Sequence, residues 1–180
     1  MRGNGVNILR GRSATGLALS VLMGLAACEA AGTLAGGGAQ SDYLVARQAL
    51  ETGNYDLAIR RYSRLIDGMD AQRASRLQLE YAHALLRGDQ FQLAADAADA
   101  LIASNEGSIR ASALAVRGTA RHEAARTRMA EGQRDATTRG LLQGAREDLA
   151  SFLSQHASLD SSGSMRARVQ LIAADLQSLG

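Results

Sequence analysis

The chain has 180 residues, a formal net charge of +2 and one cysteine, with no proline, no tryptophan and six aromatic side chains. A lone cysteine excludes an intramolecular disulfide. The abundance of Ala, Leu, Arg, Gln and Glu favours helix over strand, so the composition predicts an all-α protein. All 20 basic residues are arginines, and from residue 28 onward 17 arginines face 18 carboxylates, so that part carries about −1. A nucleic-acid partner therefore has no electrostatic basis.

The first 27 residues have the pattern of a secretory signal peptide. Arg2, Arg10 and Arg12 form a positive leader, and residues 13–27 carry no charge and end in small side chains. This is the order of charged region, apolar region and cleavage site that export signals share. The apolar run is shorter than the roughly 20 residues that span a bilayer, so a transmembrane helix is not expected here.

Cys28 follows Leu25-Ala26-Ala27, and this run resembles the lipobox of bacterial lipoproteins. The resemblance implies that Cys28 is acylated and that the chain is cut before it. It places the protein in the cell envelope, and Glu29 in place of Asp points to the periplasmic face of the outer membrane. The alternative is an unmodified thiol at the end of an ordinary signal peptide.

After Cys28, residues 28–40 are rich in Gly and Ala and should form a flexible tether. A helical domain is predicted over residues 41–180, with Ser41 as the first N-cap. Apolar residues at helical spacing predict seven helices. Their predicted ranges are 41–52, 55–67, 71–87, 91–103, 108–131, a sixth from a break at 132–138 to 156, and 165–179.

A unit of 36 residues repeats in this domain. Gly53-Asn54-Tyr55 leads into a helix with Ala58, and Asp89-Gln90-Phe91 leads into a helix with Ala94. Small residues recur at the same spacing in the preceding helices, at positions 46, 82 and 118. The pattern resembles the tetratricopeptide repeat, whose period is about 34 residues. In the third unit, the first helix is about two turns longer than the repeat allows.

The resemblance covers residues 41–157. It implies a right-handed α-solenoid of about three helical hairpins, closed by a C-terminal capping helix. The alternative is an unrelated array of α-hairpins or a helical bundle. In a solenoid of this family the first helix of each hairpin lines a concave face, which is the expected partner-binding surface. The residues that the resemblance places there are Tyr43, Arg47, Arg76, Leu79, His83, Arg87, Thr119 and His122.

Arginines on that face could hold the carboxylates of an acidic peptide, although the same residues could simply solubilise an unused groove. A second candidate surface is a basic stripe on the fifth helix, formed by Arg110, Arg117, Arg121 and Arg128. At 100° per residue these four lie within about 40° of one another. The stripe could dock an acidic partner or lipid headgroups, or it could be a solvated face.

The sequence contains little evidence for a catalytic or metal-binding site. His122-Glu123 opens like a zinc-protease helix, but Arg126 stands where the second histidine is needed. Asp99 and Asp148 are interpreted as solvated carboxylates. No catalytic residue, metal or cofactor is predicted.

The function expected from the resemblance is that of a lipid-anchored, non-enzymatic scaffold. It would bind a protein partner during assembly of a pilus or secretion machine, similar to TadD-like and pilotin-like lipoproteins, without a nucleic acid or a small-molecule substrate. The alternatives are a cell-wall accessory or enzyme, and a lipid-surface structural protein that uses the basic stripe.

Overall fold

The computed structural model describes residues 37–67 and 69–180, and for residues 37 and 71–73 it describes the backbone alone. This part is helical throughout and contains no strand, which confirms the all-α class. Its helices are α1 (Gly37–Glu51), α2 (Tyr55–Asp67), α3 (Ala71–Arg87), α4 (Phe91–Ser104), α5 (Gly107–Ala130), α6 (Ala136–His156) and α7 (Ser164–Ser178), with a short 3₁₀ turn at Ala157–Leu159. The predicted signal peptide and Cys28 lie outside the described residues.

The helix boundaries follow the periodicity, with two differences. The first helix begins at Gly37, four residues before Ser41, so the last part of the predicted tether is helical. The sixth helix begins at Ala136, inside the predicted break, because the Asp135 carboxylate accepts the Thr138 amide at 3.0 Å. This N-cap satisfies one of the amides that a helix start leaves free.

Three helices end in the same hydrogen-bonded turn. The amide of a residue with positive φ donates to the carbonyl three residues back, and the next amide donates five residues back, which is the Schellman arrangement. These paired bonds are Gly53 to Leu50 with Asn54 to Ala49, Asp89 to Leu86 with Gln90 to Leu85, and Gly132 to Met129 with Gln133 to Arg128. The first two turns are 36 residues apart and the third follows after 43. The extra seven residues are two helical turns.

From α2 onward each helix packs against the next in sequence, and α3 also packs on α5 and α5 on α7. The small residues predicted at the helix crossings, Ala46, Ala82 and Gly118, are buried. Gly118 is the tightest of these positions, since a Cβ atom there would lie 2.8 Å from Leu149 Cγ. The absence of a side chain at position 118 therefore allows α5 and α6 to approach closely.

Residues Ala39–Gly180 form one compact unit. Its core is rich in alanine. The first cluster joins α1, α2 and α3 through Ala46, Tyr62 and Ala84, each 0% exposed. The last cluster seats Ile172 of α7 against Leu142 and Leu149 of α6.

Candidate binding surface

One face of α3 carries four charged or titratable side chains in a row: Arg76, Glu80, His83 and Arg87. Their spacing places them within about 60° of one another. Arg76, His83 and Arg87 are exposed, whereas the Glu80 side chain is only 15% exposed. This row includes three of the four binding residues predicted on α3, all except Leu79. At Glu80 it meets α1 and α2, so it borders the residues predicted on α1.

Glu80 holds α1, α2 and α3 together. Its carboxylate accepts hydrogen bonds from the Tyr62 hydroxyl at 2.6 Å and from the Tyr43 hydroxyl at 3.2 Å. An Arg47 nitrogen lies 3.6 Å away. Burial and the hydrogen bond to Glu80 raise the pKa of Tyr62 far above its ordinary value, so this hydroxyl stays a donor. Glu80 was not predicted as a site residue, although its place between Arg76 and Arg87 on one face of α3 could have indicated it.

Two of the three arginines predicted to hold a partner are engaged within the chain. The Arg87 guanidinium lies over the Tyr55 ring, 5.3 Å from its centroid, and donates to the Tyr55 hydroxyl at 2.8 Å. Arg47 is shared between Glu51 at 3.0 Å and Glu80. Arg76 is exposed and has no ion pair within the part of the chain that the structure describes. Among these three arginines, Arg76 is therefore the one whose guanidinium has no ion pair or ring contact within the described residues.

His83 lies two helical turns from Arg76 on the same face. Its side chain is exposed, yet desolvation by the surrounding protein lowers its pKa, and the charge of Arg87 lowers it further against the opposing effect of Glu80. His83 and Arg76 are therefore both accessible to a partner on this face of α3.

The other predicted residues are less accessible. Leu79 is half-buried against the core cluster of α3, α4 and α5, and Thr119 is also partly buried. His122 is 0% exposed, so its predicted position on a binding surface is wrong. Its Nε2 lies 2.8 Å from Asp175 of α7, and its Nδ1 lies 3.1 Å from an Arg168 nitrogen. Both ring nitrogens therefore have partners within the chain, and the ring is not available to a partner at the surface.

The basic stripe of α5 is neutralised within the chain. Asp148 of α6 accepts from Arg117 Nε at 3.0 Å and from Arg121 at 2.9 Å, and its side chain is only 4% exposed. Arg117 also pairs with Asp99 of α4. Asp148 is therefore not the solvated carboxylate that the sequence suggested, whereas Asp99 is exposed, as expected, and pairs with Arg117. They join α4, α5 and α6 around two guanidinium groups.

The ends of the stripe are engaged as well. Arg128 pairs with Asp135 at 2.8 Å and donates to the Thr138 hydroxyl, and Arg110 donates to the Ile102 carbonyl near the end of α4. All four arginines thus stabilise α5 against its neighbours. The stripe is not the free docking strip that its sequence pattern suggested, and it leaves few unpaired charges for lipid headgroups.

A groove of about 520 Å³ lies where α5 runs two turns beyond the repeat. It is bounded by the start of α4, the last turns of α5 and the start of α6, and its lining includes Phe91, Leu93, Ala124, Thr127, Arg128 and Leu141. Leu93 is 52% exposed. The groove follows from the displaced turn at Gly132, which the sequence indicated, although the groove itself was not predicted.

No protein-family model, no curated protein and no solved structure matches this chain. Within the described ranges, no cluster of three or more His, Cys, Asp or Glu side chains is arranged to hold a metal ion. The helices described are also too short or too polar to cross a membrane.

Proposed function

We propose that this protein is a tetratricopeptide-like scaffold of the bacterial cell envelope, non-enzymatic and lipid-anchored at Cys28. It binds an acidic segment of a protein partner through the surface around Arg76 and His83. The partner belongs to an assembly machine of the pilus or secretion class, at the periplasmic face of the outer membrane. The observation that carries the proposal is Arg76, an exposed arginine with no ion pair within the described residues, which lies beside the exposed His83 on the helix face that the repeat resemblance assigns to binding.

Two features of the fold support a solenoid. The Schellman turns at Gly53 and Asp89 lie one repeat apart, as the turns of successive hairpins should. The first helices of successive hairpins, α3 and α5, pack on each other in addition to their sequence neighbours, and the closing helix α7 packs on α5. In stacked helical hairpins, contacts between first helices build one continuous face, and such faces serve as binding surfaces.

The charges on this face of α3 define the chemistry of the partner. Glu80 is the acid in the row that Arg76, His83 and Arg87 complete, and three donors from α1 and α2 surround its carboxylate. Arg76 and Arg87 therefore leave this face net positive. A guanidinium that lacks an internal partner forms charge-assisted hydrogen bonds to a carboxylate, which favours an acidic peptide over a basic or apolar one.

The lipid anchor rests on the lipobox resemblance, and Cys28 lies outside the described residues. Two or more acyl chains hold a protein stably to a bilayer, whereas one does so only marginally. Anchoring would keep the helical domain beside the envelope machine, and this matters for a scaffold because it raises the local concentration of its partner.

A charge-reversal pull-down tests the binding surface. Full-length protein is recovered from detergent-solubilised envelopes as wild type, as Arg76→Glu and as Arg146→Glu, and co-purified proteins are quantified by mass spectrometry. Arg146 is an exposed arginine on α6 and serves as the matched control. The proposal expects an envelope assembly protein that is captured by wild type and by the Arg146 variant but is lost from the Arg76 variant. Equal capture by all three proteins contradicts this surface, and capture by none contradicts the scaffold function.

A further inference from the structure

A polar cluster with one buried member, His122, joins α5 to α7. It consists of His122 and Glu123 from α5 and Arg168 and Asp175 from α7. The His122 ring is 0% exposed and bridges both α7 residues, and Arg168 continues to the Glu123 carboxylate at 2.6 Å. We call these four residues the His122 cluster. They form a continuous polar link in an otherwise apolar contact.

The contacts fix the protonation state of the ring. Arginine has donors and no acceptor, so Nδ1 of His122 must present its lone pair to Arg168. Nε2 then carries the single ring proton and donates it to Asp175. The ring in this structure is therefore neutral, with one defined tautomer.

We propose that the His122 cluster is a pH-sensing latch that releases α7 from α5 on acidification. A second proton has to enter at Nδ1, where it would point at the Arg168 guanidinium from 3.1 Å. Two donors and two positive charges would then face each other, so the His122–Arg168 bond must break. Arg168 keeps its hydrogen bond to the Glu123 carboxylate, so its guanidinium can turn away from His122 and toward Glu123.

The direction of the pH effect follows from burial. Desolvation lowers the pKa of His122, the Asp175 hydrogen bond opposes this, and the charge of Arg168 lowers it further. The unfolded chain therefore takes up this proton at a higher pH than the folded one. At neutral pH both states are neutral and the latch is closed, and as the pH falls below 6.5 the folded state is progressively penalised.

The packing determines which part of the molecule responds. α7 is seated on α6 through Ile172, whereas its contact with α5 is less extensive and includes the His122 cluster. Loss of the latch thus weakens the α5 side first. The apolar residues next to that contact are Ala125 and Met129 of α5, which belong to the same cluster as Ile172. Acidification would give solvent or a partner access to them.

Hydrogen exchange of the full-length protein in mild detergent tests the latch. Exchange is compared between about pH 8 and about pH 5, the range over which histidine titrates. After correction for intrinsic exchange rates, α7 amides are referenced to α4 amides of the same molecule. The latch predicts that relative α7 protection falls at acid pH, by about tenfold for each unit of pKa displacement. Unchanged relative protection of α7 would overturn it.

Two variants separate the latch from a merely structural role. Arg168→Gln keeps His122 and Asp175 but removes the charge that opposes the proton, so the pH dependence of α7 protection should shrink and the His122 ring, followed by NMR, should titrate at a higher pH. His122→Gln cannot take up the proton and should abolish the pH dependence. If either variant folds and retains the full wild-type pH dependence, the latch is wrong.

Discussion

The close approach of α5 and α6 at Gly118 makes a prediction whose magnitude can be worked from the structure. Alanine is normally preferred over glycine inside a helix by about 0.5–1 kcal/mol. At position 118 the new Cβ would lie 2.8 Å from Leu149 Cγ, 2.9 Å from Leu149 Cδ2 and 3.1 Å from Asp148 Cβ. Leu149 is 0% exposed, so it has little room to move. Forcing extra volume into a packed core destabilises by about 1–3 kcal/mol.

Gly140→Ala is the matched control. Gly140 lies in α6, is exposed, and an added Cβ there meets no atom within 4 Å. The control keeps the propensity gain without the steric penalty, so the difference between the two variants isolates the steric effect, about 1–3 kcal/mol. For a domain of this size each kcal/mol moves Tm by about 3–5 °C.

Thermal unfolding followed by circular dichroism measures this difference. We expect Gly140→Ala to raise Tm slightly and Gly118→Ala to lower it or leave it unchanged, with the two midpoints several degrees apart. Equal stabilisation by both substitutions would refute the argument that the missing side chain at position 118 permits the helix crossing.

Three further predictions concern charges and the anchor. Asp148→Ala leaves Arg117 and Arg121 without their shared carboxylate. Because both arginines keep some exposure, we expect urea unfolding to show a loss of about 3 kcal/mol in the free energy of unfolding, near the lower end for a broken buried pair. The matched substitution of an exposed residue, Glu147→Gln, should be neutral, and equal effects of the two substitutions would contradict a stabilising role of Asp148. The Asp160 carboxylate accepts hydrogen bonds from the amides of Met165 and Arg166 at the start of α7, and these bonds lower its pKa. The Tm advantage of wild type over Asp160→Asn should therefore hold above the ordinary pKa of 3.8 and disappear as the pH falls through the lowered pKa. A constant Tm difference down to strong acid would contradict this capping role of Asp160. Cys28→Ser should abolish incorporation of labelled palmitate and release the chain from membranes, and persistent labelling would place the lipid elsewhere.

Helix positions were predictable because the signals are local. The starts at Tyr55 and Phe91 follow an αL turn, and the apolar spacing in each helix is regular. The 36-residue period located the small residues at the helix crossings before any contact was known. The start of α1 was missed because Gly37 and Gly38 have low helix propensity in isolation.

The candidate site was harder to predict, because pairing across helices is not a local property. The stripe at Arg117 and Arg121 has the same spacing whether it faces solvent or Asp148. The same is true of His122, which the repeat resemblance placed on the binding face, although its ring is buried and contacts Asp175 and Arg168 of α7. The partners Glu80, Asp148 and Asp175 lie 18 to 53 residues from the groups they bind. Because these separations along the sequence join residues of different helices, the helical period cannot predict which residues pair.

The most direct test of the proposed binding surface is site-specific photo-crosslinking in cells that produce the chain. A photoreactive phenylalanine analogue replaces Arg76 in one protein and the exposed Arg146 in the other. We expect a discrete high-mass adduct from position 76, absent from position 146, whose partner peptide contains an acidic segment of an envelope assembly protein. If position 76 gives no adduct, or if both positions give the same adducts, the face around Arg76 and His83 is not the binding surface.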